Sequence, residues 1–302
     1  MSEPDLKVLL RSQDLRLVAH QCRTQHSASR DERLLWEDPS GPLKIYSVES
    51  NGARFYCLRL GDEFAVDVIP GNRITVLPRP SVPQVTVDHF LADQVLPRAL
   101  SQKADLVLHA GAIQDGLAAL LFLGPSGSGK STLVASFQAS SWTLMGDDAV
   151  ILSREGGSPT ARSLYRSLRL FPDSIEALFS DDVVVRAMTH YSGKKRIGIS
   201  LPVQDTDEQA QVKAVFVLAD AGDEDITIRR LSVAEACVAL IENSFALDPS
   251  DPRHARHRME QASRFGDQIP AFEISYPRDY AQLPQIREAI LSSIGDENLL
   301  RT

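Results

Sequence analysis

The chain has 302 residues, 43% of them apolar and 24% charged, with 40 Asp and Glu against 32 Lys and Arg for a formal net charge of −8. That acidic balance argues against a broad basic footprint for duplex nucleic acid or an anionic membrane, and it leaves room for a local cationic site. No apolar run approaches the ~20 residues of a spanning helix, and the opening Met1-Ser2-Glu3-Pro4 lacks the basic-then-apolar order of a secretion signal. The expected setting is therefore the cytoplasm, with neither nucleic acid nor membrane as partner. Three scattered cysteines, Cys22, Cys57 and Cys237, suit neither a disulfide framework nor a zinc cluster. The length predicts about two domains.

Through residue 85 the pattern is one of short strands. Residues 43–50, 53–60, 64–69 and 73–77 alternate in part between apolar and polar, and Asn51-Gly52, Gly61-Asp62 and Pro70-Gly71-Asn72 separate them as turns. This predicts a small, mainly antiparallel β-rich domain over 1–85, with 21–32 as a polar loop and no chemistry of its own. Pro78, Pro80 and Pro83 break regular structure and place the domain boundary at 78–86. Asp88 is the expected N-cap of a helix running toward Ser101, with Pro97 as a kink or stop.

From Asp105 the texture changes to longer apolar runs alternating with helical patterns. Strands are expected at 106–108, 117–123, 212–218, 226–229 and 272–276. Ser232-x-x-Glu235 has capping-box spacing and opens an apolar helix. Residues 253–264 form a basic helix-compatible stretch, and 285–293 suit a terminal helix. The fold class read for 86–302 is mixed α/β.

The strongest local signal is Gly124-Pro125-Ser126-Gly127-Ser128-Gly129-Lys130-Ser131-Thr132, which fits G-x-x-x-x-G-K-[ST] between an apolar strand and a helix. Glycines let backbone amides curl around phosphate oxygens. Lys130 can reach the β- and γ-phosphates, and the Ser131 hydroxyl can ligate Mg²⁺. Only 16 positions after Ser131 comes Gly146-Asp147-Asp148, room for one helix and one short strand. In an extended segment the two acids point to opposite sides; a bend at Gly146 would let both enter one site. Upstream, His109 ends the strand 106–108, a hairpin-length from the phosphate-loop strand through the turn Asp115-Gly116.

Together, His109-Ala110-Gly111-Ala112, the loop at 124–132 and Gly146-Asp147-Asp148 resemble the HPr kinase/phosphorylase superfamily, and most closely its bacterial HPr-kinase-like serine kinases. The matching core covers about 45 residues, 106–150. The resemblance implies an ATP-binding catalytic domain over 86–302 of mixed-sheet phosphate-loop type. It implies that residues 124–132 hold the triphosphate, that Ser131 and Asp148 serve Mg²⁺, that Asp147 is general base toward a hydroxyl, and that His109 supports that carboxylate. Thr132 departs from the Gly-Lys-Ser-Glu of HPr kinase proper, and no Glu-x-Arg-Gly-x-Gly segment occurs. Both departures point away from HPr itself and toward another serine-bearing peptide or protein, a biosynthetic precursor peptide among them, or a small hydroxylated molecule.

Further cations follow the paired acids. Arg169, in Tyr165-Arg166-Ser167-Leu168-Arg169-Leu170-Phe171-Pro172, and Arg196, closing His190-Tyr191-Ser192-Gly193-Lys194-Lys195-Arg196, are candidates to neutralise a transferring phosphoryl group. The competing readings are a solvated loop there and an exposed basic face at 253–258. Two rivals stand beside the kinase reading. One is an ATPase coupling hydrolysis to motion, for which Asp220 imitates a second acidic strand end but no Leu-Ser-Gly-Gly-Gln-like signature occurs. The other is a nucleotide-responsive module that binds a partner. Active-site motifs carry no information on assembly, so a homo-oligomer stays open.

Overall fold

The computed structural model of the chain describes residues 16–19, 31–39, 41–50, 52–62, 64–69, 73–78, 81–164, 168–179, 184–186, 193–198, 209–219 and 225–299. Residues 21–30, 51, 70–72, 80, 165–167, 190–192 and 220, which entered the readings above, lie outside them. Contacts group the chain into two compact units, residues 1–103 with 246–256 and residues 104–245 with 257–302.

The first unit holds β1 (Arg16–Ala19), β2 (Asp31–Glu37), β3 (Leu43–Ser50), β4 (Ala53–Leu60), β5 (Phe64–Ile69) and β6 (Arg73–Pro78) in one sheet ordered β1-β6-β5-β4-β3-β2. Every pair is antiparallel except β1 with β6. Of the expected polar loop at 21–32, Asp31 and Glu32 are in fact the opening residues of β2. The helix expected from Asp88 also differs. It begins as α1 (Gln84–Phe90), directly after the extended Pro83, and Asp88 lies inside it, accepting a hydrogen bond from Gln84 Nε2 at 2.8 Å. Pro97 does not stop it either. Residues 91–95 widen into a π-helical turn, with Leu96 N–H donating to Leu91 O, and lead into α2 (Leu96–Leu100). Proline lacks an N–H and crowds the carbonyl four residues back; a wider preceding turn relieves that crowding without ending the helix.

The second unit runs β7 (Leu106–Leu108), β8 (Gly111–Asp115), β9 (Ala118–Leu123), α3 (Lys130–Ser136), β10 (Thr143–Gly146), β11 (Val150–Glu155), β12 (Ser158–Ser163), β13 (Leu168–Leu170), α4 (Pro172–Leu178), β14 (Val184–Arg186), β15 (Lys195–Gly198), β16 (Ala210–Leu218), β17 (Thr227–Arg230), α5 (Val233–Glu242), α6 (Pro252–Gln268, of which the part from His257 on belongs to this unit), β18 (Ala271–Ser275) and α7 (Leu283–Leu299). The capping box is formed: Ser232 Oγ accepts from Glu235 N, and the Glu235 carboxylate accepts from Ser232 N. β13, β15 and β14 make a small antiparallel sheet. The large mixed sheet follows the order β10-β8-β9-β16-β12-β11-β7, with β18 and β17 branching from β16.

Two short links force that large sheet to curl. β7 and β8 stand five strand intervals apart in the order, about 24 Å if the sheet were flat at ~4.8 Å per interval. Only His109 and Ala110 join them, a link of three Cα steps reaching about 11 Å at most. β10 and β11 are also five intervals apart and are joined only by Asp147, Asp148 and Ala149. Both links therefore cross the seam where the ends of the sheet approach. One face packs on α5 and the later part of α6 through Leu240, Ala262 and Phe265. The other packs on α3 and α7, where Phe122, Phe216 and Phe272 stack across β9, β16 and β18 with centroids 5.8 and 5.3 Å apart.

Candidate functional site

β9 ends at Leu123, and the chain turns through 124–129 into α3. Gly129 caps that helix with φ +93°, a left-handed conformation costly for any residue with a Cβ. A Cβ there would also collide with the Arg278 guanidinium. Lys130 folds back over the loop, its ammonium donating to Gly124 O at 2.6 Å and Pro125 O at 2.9 Å. Burial lowers this ammonium to about 8, although Asp147 and Asp148 pull the other way. Thr132 Oγ1 lies 3.1 Å from Ser174 Oγ at the start of α4, which is 3.0 Å from the Tyr280 hydroxyl.

The paired acids sit on the seam crossing that follows β10. The backbone bends there. Asp148 has φ +80°, the one positive φ outside glycine among the described residues, a strained position that aspartate tolerates better than most residues. The two carboxylates meet different surroundings. Asp148 Oδ2 accepts from Arg169 Nε at 2.6 Å and from Nη2, and Oδ1 lies 3.5 Å from His109 Nε2. Burial pushes Asp148 up, but Arg169 and His109 outweigh it and hold the carboxyl well below the usual range. Asp147 is 1% exposed, and neither of its oxygens has a partner of normal hydrogen-bond geometry. Burial first, and the charge of Asp148 second, push it well above the usual range, while Arg169, the nearby Ser131 hydroxyl and Lys194 draw it back in part. Burial also lowers His109, with Lys130 and Arg169 adding to that effect against Asp148.

The structure thus brings His109, Lys130, Ser131, Asp147, Asp148 and Arg169 together. His109 faces Asp148, whereas the resemblance placed it behind Asp147. Of Arg196 only the backbone is described, paired with Arg169 across β15 and β13. In the basic stretch at 253–258, Arg253 is solvated, its side chain 91% exposed, while Arg258 turns inward to Ser244 Oγ at 2.9 Å and Ile241 O at 3.2 Å.

Two site residues escaped the sequence reading. Asn243 ends α5, accepts from Gly124 N on its side-chain oxygen at 3.0 Å, and accepts from His109 N on its backbone oxygen at 2.7 Å. It ties the start of the loop at 124–129 to the first seam crossing, yet in sequence it reads as an ordinary helix-ending asparagine. Arg278 donates to the loop carbonyl Ser128 O and, at 3.2 Å, to Ala219 O. It follows β18, which runs parallel to β16, and binding loops gather at the carboxyl ends of such strands. That signal becomes visible only once the strand order is known.

Among the described residues no cluster of three or more His, Cys, Asp or Glu could hold a metal by itself. The donors present are instead hard oxygens: the Ser131 hydroxyl, Asp148 Oδ1 and the unpartnered Asp147 oxygens. Such a set fits a magnesium ion completed by phosphate and water. No described helix is long and apolar enough to cross a membrane.

No family model matches this chain, and no curated protein matches it. Among solved structures it is similar to the Hpr(Ser) kinase/phosphatase from Coxiella burnetii, at 12% identity and a TM-score of 0.32, over 65% of this chain and 96% of that one. So faint a likeness leaves the chemistry to be argued from the residues themselves.

Proposed function

We propose that the chain is a Mg-ATP-dependent phosphotransferase that moves the γ-phosphoryl group to an acceptor hydroxyl, serine of a peptide or protein being the acceptor class favoured. The observation that carries this reading is the division of labour between the adjacent acids. One is neutralised by Arg169 and stays charged; the other is buried and unpartnered, with its proton affinity raised toward neutrality. A general base works best with a pKa near the working pH. Asp147 is accordingly the group that receives the hydroxyl proton as the acceptor oxygen bonds to the γ-phosphorus and the bond to the β-phosphate oxygen breaks, releasing the diphosphate.

In this reading residues 124–132 cradle the phosphates, and Lys130 leaves its carbonyl partners to meet them. Magnesium, held by Ser131 and Asp148, would neutralise charge on the phosphates. Arg169 keeps Asp148 ionised, and His109 steadies its other oxygen. Asn243 and Arg278 fix the two ends of the loop. Alignment and charge neutralisation supply most of the rate, and the base supplies the remainder.

The test is incubation with γ-labelled ATP, magnesium and serine-bearing peptides or hydroxylated small molecules, reading label in the acceptor against label released as phosphate. Wild type is expected to label an acceptor. Asp147→Asn should still bind ATP but lose transfer, by roughly 10²–10⁴-fold for a general base. Transfer by Asp147→Asn at the wild-type rate refutes the assignment of the base. Phosphate release that no acceptor alters would favour an ATPase.

A further inference from the structure

Four strands end together at the edge of the large sheet where β9 turns into the loop at 124–129. β9, β16 and β18 run parallel. β10 shares their direction, because it is antiparallel to β8 and β8 is antiparallel to β9. Along that edge the order is β10-β8-β9-β16, and β18 takes the place beside the carboxyl half of β16. The loop therefore has the paired acids on one flank and the segment after β18 on the other. β8, beside which Asp147 lies, and β18 are three intervals apart, about 14 Å at ~4.8 Å each.

The segment after β18 follows the loop closely. Arg278 donates to Ser128 O and Ala219 O. Two residues on, the Tyr280 hydroxyl donates to Asp173 Oδ2 at 2.9 Å and lies 3.0 Å from Ser174 Oγ, which is itself 3.1 Å from Thr132 Oγ1 in the first turn of α3. Tyr280 thus stands two hydrogen bonds from the helix that opens at Lys130. Its backbone is fixed as well: Asp279 accepts from Ala281 N at 2.9 Å and caps the short 3₁₀ turn Tyr280–Gln282. Ser174 is 4% exposed and Tyr280 37%. The polar end of the tyrosine is turned to a buried hydroxyl, and what it offers to solvent is the ring.

Resting on the phosphotransferase reading above, we propose that Tyr280 is the platform on which the nucleoside end of the donor nucleotide stacks, held in place by the chain Asp173–Tyr280–Ser174–Thr132. With the terminal phosphoryl beside Asp147, a triphosphate laid across the loop points its nucleoside away from the acids, toward the flank that Tyr280 occupies. A ring whose hydroxyl and backbone are both fixed loses little freedom on receiving a base. Every base has a π face, so the platform separates a nucleoside triphosphate from bare polyphosphate without choosing among bases.

The experiment titrates ATP and inorganic tripolyphosphate, each with magnesium and without acceptor, into wild type, Tyr280→Leu and Tyr280→Phe by calorimetry. Tyr280→Leu should weaken ATP binding roughly 5- to 100-fold, the range for one base stacked on an aromatic ring, and leave tripolyphosphate within about threefold. Tyr280→Phe keeps the ring and should retain most of the affinity for ATP. A tyrosine that only braces α4 through its hydroxyl would fail alike in both variants and move both ligands together. That pattern, or an ATP-to-tripolyphosphate ratio unchanged in Tyr280→Leu, overturns this inference and leaves the phosphotransferase reading intact. Wild type that binds neither ligand overturns both.

Discussion

Replacing Arg169 by methionine tests the charge balance of the site without reference to any substrate. The guanidinium meets Asp148 Oδ2 through Nε and Nη2, with the two side chains only 12% and 9% exposed. Removing it leaves a buried carboxylate beside a second one, and breaking a buried pair in this way costs about 3–5 kcal/mol. At roughly 2–4 °C per kcal/mol for a unit of this size, melting should fall by about 6–20 °C. The pH dependence fixes the sign. In wild type Asp148 is held below its ordinary value, so its contribution is present above about pH 4 and lost as pH falls through the folded value. Without Arg169, burial dominates and the carboxyl is raised, so the variant loses stability as pH climbs above about 4. The deficit should therefore be small near pH 4 and largest at neutrality. Urea unfolding in a Trp36→Phe background leaves Trp142, at the edge of the second unit's core, as the sole tryptophan reporter. Adding Asp148→Asn removes the stranded charge and should recover at least about 2 kcal/mol. A deficit below about 1 kcal/mol, or one indifferent to Asp148→Asn, refutes the argument that Arg169 is what allows Asp148 to stay ionised.

Three further outcomes follow from the same geometry. Because the Lys130 ammonium is lowered to about 8, ATP affinity measured by calorimetry should decline as pH rises through about 8, and Lys130→Met should bind weakly with no such inflection. A Cβ on Gly111 would come 2.7 Å from Val134 Cγ2, so Gly111→Ala should cost about 1–3 kcal/mol in urea melts, and Gly111→Ala with Val134→Ala should be more stable than the sum of the single changes predicts. Arg278 braces the loop through Ser128 O and Ala219 O, so Arg278→Met should weaken ATP and ADP binding by the same factor, roughly 3- to 10-fold.

What the sequence made legible was whatever depended on local pattern. The four main N-terminal strands, the capping box at Ser232 and Glu235, and the strand–loop–helix around Lys130 each follow from neighbours within a few residues, and each formed. Asp88 misled because a helix N-cap and an interior aspartate bonded to Gln84 look alike until the backbone upstream is known. Pro97, read as a kink or a stop, does not end the helix, because the π turn at 91–95 changes the spacing that the rule for a stop assumes. Asn243 and Arg278 lie 119 and 150 residues from their partners in the loop. The parallel pairing of β9, β16 and β18 brings Arg278 there, the bridge between Ser244 and Leu108 at the end of α5 brings Asn243, and nothing in their own segments announces either.

The proximity of the loop at 124–129 to the paired acids has a cause of its own. β8 lies between β9, which carries the loop, and β10, which delivers the acids. The register places Gly111 opposite Phe122 on one side, and Ala112 opposite Gly146 on the other, so Asp147 emerges beside Gly111 just where β9 is about to turn into the loop. A side chain at 111 would occupy the space between α3 and the carboxylate: its Cβ would press on Val134 and lie 3.6 Å from Asp147 Oδ1. The missing side chain is what lets the helix that carries Lys130 and Ser131 close down on Asp147. In His109-Ala110-Gly111-Ala112, therefore, the histidine crosses the seam to steady Asp148, and the glycine leaves the gap in which Asp147 meets the loop. The two positions do separate jobs two residues apart, and the short link that curls the sheet is what makes both possible.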